Sequence, residues 1–150
     1  MFSAYGWFRL QTPRPELEAP DWREQQRRAD GADEQLWVAF RKFMGDIDHQ
    51  WIEWQLFEHL NNDTGVLTLC TSRNHRRRDV FEIVAWIASA SSSSYGLLYV
   101  HDDEDQSVAA SQGSPTDNSN LHRVHRVRNG TVTEHADPFF GPISPSQRPD

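Results

Sequence analysis

The chain has 150 residues, with 15 Lys plus Arg against 22 Asp plus Glu, a formal net charge of −7 and a pI near 5.4. This length suits one domain that buries about 68–70% of its unfolded surface, and the acidic balance argues against a general nucleic-acid binder, whose surface is normally basic. No apolar run nears the roughly 18 residues of a membrane span, the N-terminus lacks a signal-peptide pattern, and one cysteine, Cys70, excludes an internal disulfide framework, so a cytoplasmic protein is expected.

Phe2 to Gln11 reads as a first strand, with Phe2, Ala4, Gly6, Phe8 and Leu10 on one face and Tyr5 and Trp7 on the other. Apolar groups on both faces predict a central strand. Pro13 to Pro20 breaks regular structure, and Asp21 is placed to cap a helical turn carrying Trp22. Asp33 to Met44 is the clearer helix, since Leu36, Phe40, Phe43 and Met44 recur at helical spacing and Trp37 widens the stripe. Asp33 and Glu34 suit its positive N-terminal end, Arg41 and Lys42 its negative end, and Gly45 its stop.

Two strands follow, Trp51 to Leu60 and Val66 to Ser72, and Asn61-Asn62-Asp63-Thr64-Gly65 between them has the residues of a hairpin connection. A second helix starts near Asp79, where Asp79-Val80-Phe81-Glu82 has the spacing of a capping box. Val80, Phe81, Ile83, Val84, Trp86 and Ile87 make that helix apolar nearly all round, which predicts deep burial. Ser89 to Ser94 is a polar linker into the strand that carries Tyr95 to Val100. Gln106 to Asn120 is expected as a mobile loop, and Val124 to Glu134, centred on Asn129-Gly130, as a hairpin. Residues 1–145 are expected to form a single domain, with 146–150 a frayed tail.

Strand, helix, strand, strand, helix, strand is the order of the split βαβ arrangement. The expected fold is therefore α+β: an antiparallel sheet with two helices on one face, a ferredoxin-like βαββαβ core, and a C-terminal β-hairpin. The open edge of that hairpin leaves room for a second copy, so a homodimer is one expected outcome.

The most informative stretch is Ser94-Tyr95-Gly96-Leu97-Leu98-Tyr99-Val100-His101, which runs directly into Asp102, Asp103, Glu104 and Asp105. Each large apolar side chain of its first half gains roughly 1.5–3 kcal/mol by burial. The carboxylates would lose more by following them without partners. The strand is therefore expected to end at the surface and project a compact negative field. Such a field suits a binder of a basic partner better than it suits a catalyst, and Asp102, Asp103, Glu104 and Asp105 are the candidate contact residues.

Other constellations carry less. Arg73-Asn74-His75-Arg76-Arg77-Arg78 offers a phosphate clamp at a helix N-terminus or a solvated connector and internal partner for the acidic run, and the net charge favours the second. His122 and His125, three apart on a strand, point to opposite faces and do not converge on a metal. The acidic run lacks the ligand order of a calcium loop. Cys70 reads as a small core hydrophobe, and Gly96 after Tyr95 as room for a neighbouring ring. With neither a nucleophile elbow nor a phosphate-cradling loop in the chain, no catalytic, cofactor or metal residue is assigned.

Tyr5-Gly6-Trp7, the Ser94–Val100 run with Asp102-Asp103-Glu104 after it, and Asp137-Pro138-Phe139 together resemble the immunity protein 7 family of bacterial polymorphic toxin systems, over about Phe2 to Pro145. The resemblance implies a small cytoplasmic α+β protein that is not an enzyme and neutralises a toxin encoded by an adjacent gene through tight stoichiometric binding. It brings no catalytic residue set and implies neither a nucleic-acid nor a membrane partner. A basic toxin domain, a nuclease among the candidates, would meet Asp102–Asp105, with Trp7 and Tyr95 as scaffold. The alternatives are an enzyme that reverses toxin damage, using His101 beside a carboxylate, and a small-ligand-binding or stress-response domain.

Overall fold

The structure is a computed structural model, and it describes residues 1–60, 64–105 and 121–139. Eight elements follow in chain order: β1 (Phe2–Leu10), α1 (Trp22–Asp46), β2 (Glu53–Leu60), β3 (Thr64–Arg73), α2 (Arg78–Ala90), β4 (Tyr95–Asp102), β5 (His122–Arg128) and β6 (Thr131–Ala136). The strands form one six-stranded open sheet in the order β2-β3-β1-β4-β5-β6, antiparallel at every pairing. The fold is α+β, with β1 central as its two apolar faces predict.

Both helices lie against one face of this sheet. Phe2, Ala4, Phe8 and Leu10 of β1, Leu67 and Leu69 of β3, and Leu98 and Val100 of β4 share a single core with Trp37, Phe40 and Met44 of α1 and Val80, Ile83, Val84 and Ile87 of α2. Trp86 of α2 stacks on Phe43 of α1 at 5.3 Å and meets Phe40 at 5.5 Å, locking the helices together. Trp37, almost fully buried, donates its indole N–H to the Leu10 carbonyl at 3.0 Å. A buried indole that lacked this acceptor would cost stability.

Helix α1 starts earlier than its apolar stripe alone indicates, at Trp22, with Asp21 in the capping position but without a side-chain capping bond. Asp33 therefore lies inside the helix rather than at its N-terminal end. It is completely buried, accepting from the Thr12 N–H at 2.6 Å, the Thr12 hydroxyl at 2.7 Å and Arg14 Nη2 at 2.7 Å. Those bonds tie the chain after β1 to α1. In α2, Asp79 is not the cap either: Arg77 holds the capping position, and Asp79 accepts from Arg77 Nη2 at 2.6 Å.

The serines between α2 and β4 form a buried latch rather than a simple linker. Ser91 donates to the Gln11 carbonyl at 2.6 Å, and the Ser94 hydroxyl donates to the same carbonyl at 3.2 Å while accepting from the Gln11 N–H. This fixes the end of β1 against the start of β4. Gly96 faces Phe8 there: an added Cβ would lie 2.2 Å from the Trp7 carbonyl oxygen and 2.5 Å from the Phe8 ring. The glycine makes room for a ring, as expected. Asn129 and Gly130 join β5 to β6 with φ of 52° and 74°, the backbone sign that a two-residue turn between twisted antiparallel strands requires, and Val127 pairs with Val132 across it. The expected connection at 61–63, the expected loop at 106–120 and the tail beyond 139 lie outside the described residues.

Candidate functional site

The acidic run begins at the last residue of β4, yet only half of it reaches water. Asp102 and Asp105 are buried, whereas Asp103 and Glu104 are exposed. A cation from the basic run makes that burial tolerable. Arg76 Nη1 lies 3.6 Å from Asp102 and 3.7 Å from Asp105, with its guanidinium over the Phe81 ring at 4.7 Å. Asp102 also accepts from the Glu104 N–H at 3.1 Å, which curls the run back on itself. The compact field expected of all four carboxylates is thus partly spent inside the fold, because a carboxylate with a guanidinium partner need not stay in water.

The two exposed members have partners as well. Asp103 is paired with the Met1 amine, which holds its carboxyl below the usual range. Glu104 lies 3.3 Å from His75 Nδ1. The basic run is correspondingly engaged: Arg73 stacks over Trp51 at 3.7 Å, Arg76 serves the carboxylates, and Arg77 pairs with Asp79 and, at 3.6 Å, with Asp48. Through Arg76 and His75 it acts as internal partner to the acidic run.

Side-chain alternation turns the second set of strand residues to the face opposite both helices. Strand register aligns them in rows. One row is Glu53, Cys70, Tyr5, Tyr99, Val124 and His135; the next is Gln55, Thr68, Trp7, Leu97, Arg126 and Thr133. Among the described residues no helix covers this face. Tyr5 is 57% exposed, Trp7 42% and Tyr95 37%. Trp7 and Tyr95, expected to be scaffold, are therefore surface aromatics. Cys70, expected in the core, sits half-buried on the same open face.

The rings on this face are held in place. Trp7 and Tyr95 meet edge to face at 6.1 Å and 89°. Arg9 Nη1 approaches the Tyr95 hydroxyl at 3.4 Å while its Nη2 donates to Thr64 at 2.8 Å. Beside them opens a groove of about 830 Å³ lined by Trp7, Tyr95, Leu97, Arg14, Arg126, Arg128 and the Ser92–Ser94 backbone turn. An exposed aromatic surface of this kind marks an interaction site more often than it marks chance. The sequence signal was present in the alternation of β1, but alternation does not say which face a helix covers.

The histidines separate as their spacing predicts. His122 lies beside His101 with ring centroids 5.0 Å apart, whereas His125 is buried on the helical side against Phe81 at 5.0 Å. Burial holds both His101 and His125 below the ordinary imidazole value; His122 adds to the effect on His101, and Glu134 opposes it at His125. His101 stands near the end of β4, opposite Ser3 of β1 and His122 of β5.

No helix among the described residues is long and apolar enough to cross a membrane. No curated protein and no solved structure matches the chain. A family model, immunity protein 7, matches residues 1–148, nearly the whole length, and the acidic end of β4 and the aromatic strands β1 and β4 fall within that match. By that match the chain belongs to the immunity protein 7 family, whose members are immunity proteins of toxin systems.

Proposed function

We propose that this protein neutralises one cognate toxin by forming a tight stoichiometric complex with it in the cytoplasm of the producing cell. The toxin is the product of an adjacent gene in a polymorphic toxin system, and the protection involves no turnover. Family membership supports the toxin partnership. The observation that supports binding as its mode is the uncovered sheet face with Tyr5, Trp7 and Tyr95 exposed together. Rigid aromatic side chains supply most of the affinity at such interfaces, while charges set encounter rate and partner choice. A nanomolar complex needs about 12 kcal/mol, which an interface anchored by several rings supplies.

The acidic corner has a narrower part in this proposal than the sequence assigned to it. Asp103 and Glu104 contact a basic patch on the toxin, and Asp102 and Asp105 hold the turn in shape from beneath through Arg76. A toxin with a cationic cleft, such as a nuclease, fits that chemistry. The test is a titration of toxin activity with purified protein. Protection that is complete at one equivalent and absent well below it supports the proposal; protection by far less than one equivalent favours an enzyme that reverses the damage. Asp103→Lys with Glu104→Lys weakens the complex, and affinity unchanged by that reversal removes the corner from the interface while leaving the immunity role intact.

A further inference from the structure

The groove on the open face has a charge opposite to that of the protein as a whole. The chain carries −7 overall, yet three arginines and no carboxylate line this groove. Arg14 is already committed, at 2.7 Å from Asp33 and 3.8 Å from Asp30. Arg126 and Arg128 are different: both are exposed on β5, and neither is in an ion pair with any described residue. Trp7 and Tyr95 form the apolar wall beside them. Guanidinium groups next to an aromatic wall match a carboxylate that has an apolar neighbour.

The acidic corner does not cancel this. Asp102 lies seven residues along β4 from Tyr95, about 23 Å at the rise of an extended strand. That is more than two screening lengths at physiological salt, about 8 Å each. The two ends of β4 therefore act as separate charges, one acidic and one basic. An extended polyanion would run out of the basic end into a protein of net −7, whereas a short acidic segment would not.

We infer that, given the toxin-binding role proposed above, the Trp7–Tyr95 groove seats a short acidic segment of the toxin, with its carboxylates on Arg126 and Arg128 and an apolar side chain against the two rings. The acidic corner and this groove then bind oppositely charged patches of one partner and fix its orientation on the sheet.

The experiment is calorimetric titration of the toxin domain encoded beside this gene into the wild-type protein, Arg126→Glu with Arg128→Glu, and Trp7→Ala, with a short single-stranded oligonucleotide as a parallel titrant. The expected result is tight binding of toxin by wild type, a loss of at least about 30-fold in both variants, and no oligonucleotide binding. Should the charge reversal lower the melting temperature, Arg126→Gln with Arg128→Gln gives the same reading without added repulsion, at about 10-fold. Wild-type affinity in the arginine variants and in Trp7→Ala alike overturns the groove assignment and leaves toxin binding standing. Loss in Trp7→Ala alone overturns the acidic occupant. Oligonucleotide binding that the arginine variants abolish replaces it with a nucleic acid. A wild-type protein that does not bind the toxin overturns the toxin role and the groove assignment together.

Discussion

Trp7 and Tyr95 meet edge to face at 6.1 Å on adjacent antiparallel strands, both on the side of the sheet away from the helices. Each ring restricts the other, so both are presented in one arrangement before any partner arrives. Preorganised aromatics lose little conformational entropy on binding, which is why such pairs serve as anchors. Replacing Trp7 with Ala is expected to weaken toxin binding by at least about 30-fold. The same variant should unfold within about 1 kcal/mol of wild type, because Trp7 is not in the shared core. Calorimetry and chemical denaturation read the two effects separately.

Gly96 is fixed by sterics rather than by function. A Cβ there would strike both the Trp7 backbone and the Phe8 ring. Gly96→Ala is expected to destabilise the fold by about 2–3 kcal/mol, measured by urea denaturation, where a change below about 0.5 kcal/mol would contradict the packing described.

Asp33 is the buried polar junction between α1 and the chain after β1. Removing its carboxylate takes the acceptor from the Thr12 N–H and leaves Arg14 only its longer 3.8 Å contact with Asp30. Asp33→Ala is expected to cost about 2–4 kcal/mol. Adding Arg14→Ala to it should cost much less than the sum of the single variants, and a double-mutant cycle measures that shortfall.

Arg76 is the cation that makes the acidic turn compact. Arg76→Ala leaves Asp102 and Asp105 buried without it, with an expected loss of about 1–3 kcal/mol, moderated because Arg76 itself is half-exposed. Increased hydrogen exchange at the amides of 102–105 is the local signature. Unchanged exchange would show that the turn is held by its backbone bonds alone.

Stability should fall in mild acid. His101 and His125 have folded-state values below the ordinary 6.5, chiefly through burial. Below that value the unfolded chain binds more protons than the folded one, so stability rises with pH. Their contribution is complete above about pH 6.5 and is lost as pH falls through the folded-state values. The melting temperature should therefore drop between about pH 7.5 and about pH 5.5, and His125→Leu should flatten the drop. A melting temperature that rises over that interval would contradict the sign.

The positions of most elements were legible because period-2 and period-3.6 patterns are local. The alternation of Phe2, Ala4, Phe8 and Leu10 against Tyr5 and Trp7 located β1 and its two faces, and the Asn129-Gly130 turn located the β5–β6 pairing. What was not legible depends on residues distant in sequence. The burial of Asp102 and Asp105 depends on Arg76, which approaches from the start of α2. The turn at Trp22 is legible, but its continuity with the helix from Asp33 is not, because Arg23 to Arg28 is polar, with few core residues to set a period. Asp33 looked like a charge favouring a helix N-terminus, and its true partners, Thr12 and Arg14, lie across a proline-rich turn. The exposure of Trp7 and Tyr95 follows from both helices choosing the same face, a tertiary choice that strand alternation does not encode.

The most direct measurement is the stoichiometry of protection. Purified protein is titrated into the toxin encoded by the neighbouring gene while toxin activity is followed. Binding as proposed predicts a linear loss of activity that ends at one equivalent, with a stable complex isolated at that ratio by size-exclusion chromatography. Full protection at a small fraction of an equivalent, with no complex formed, would contradict it.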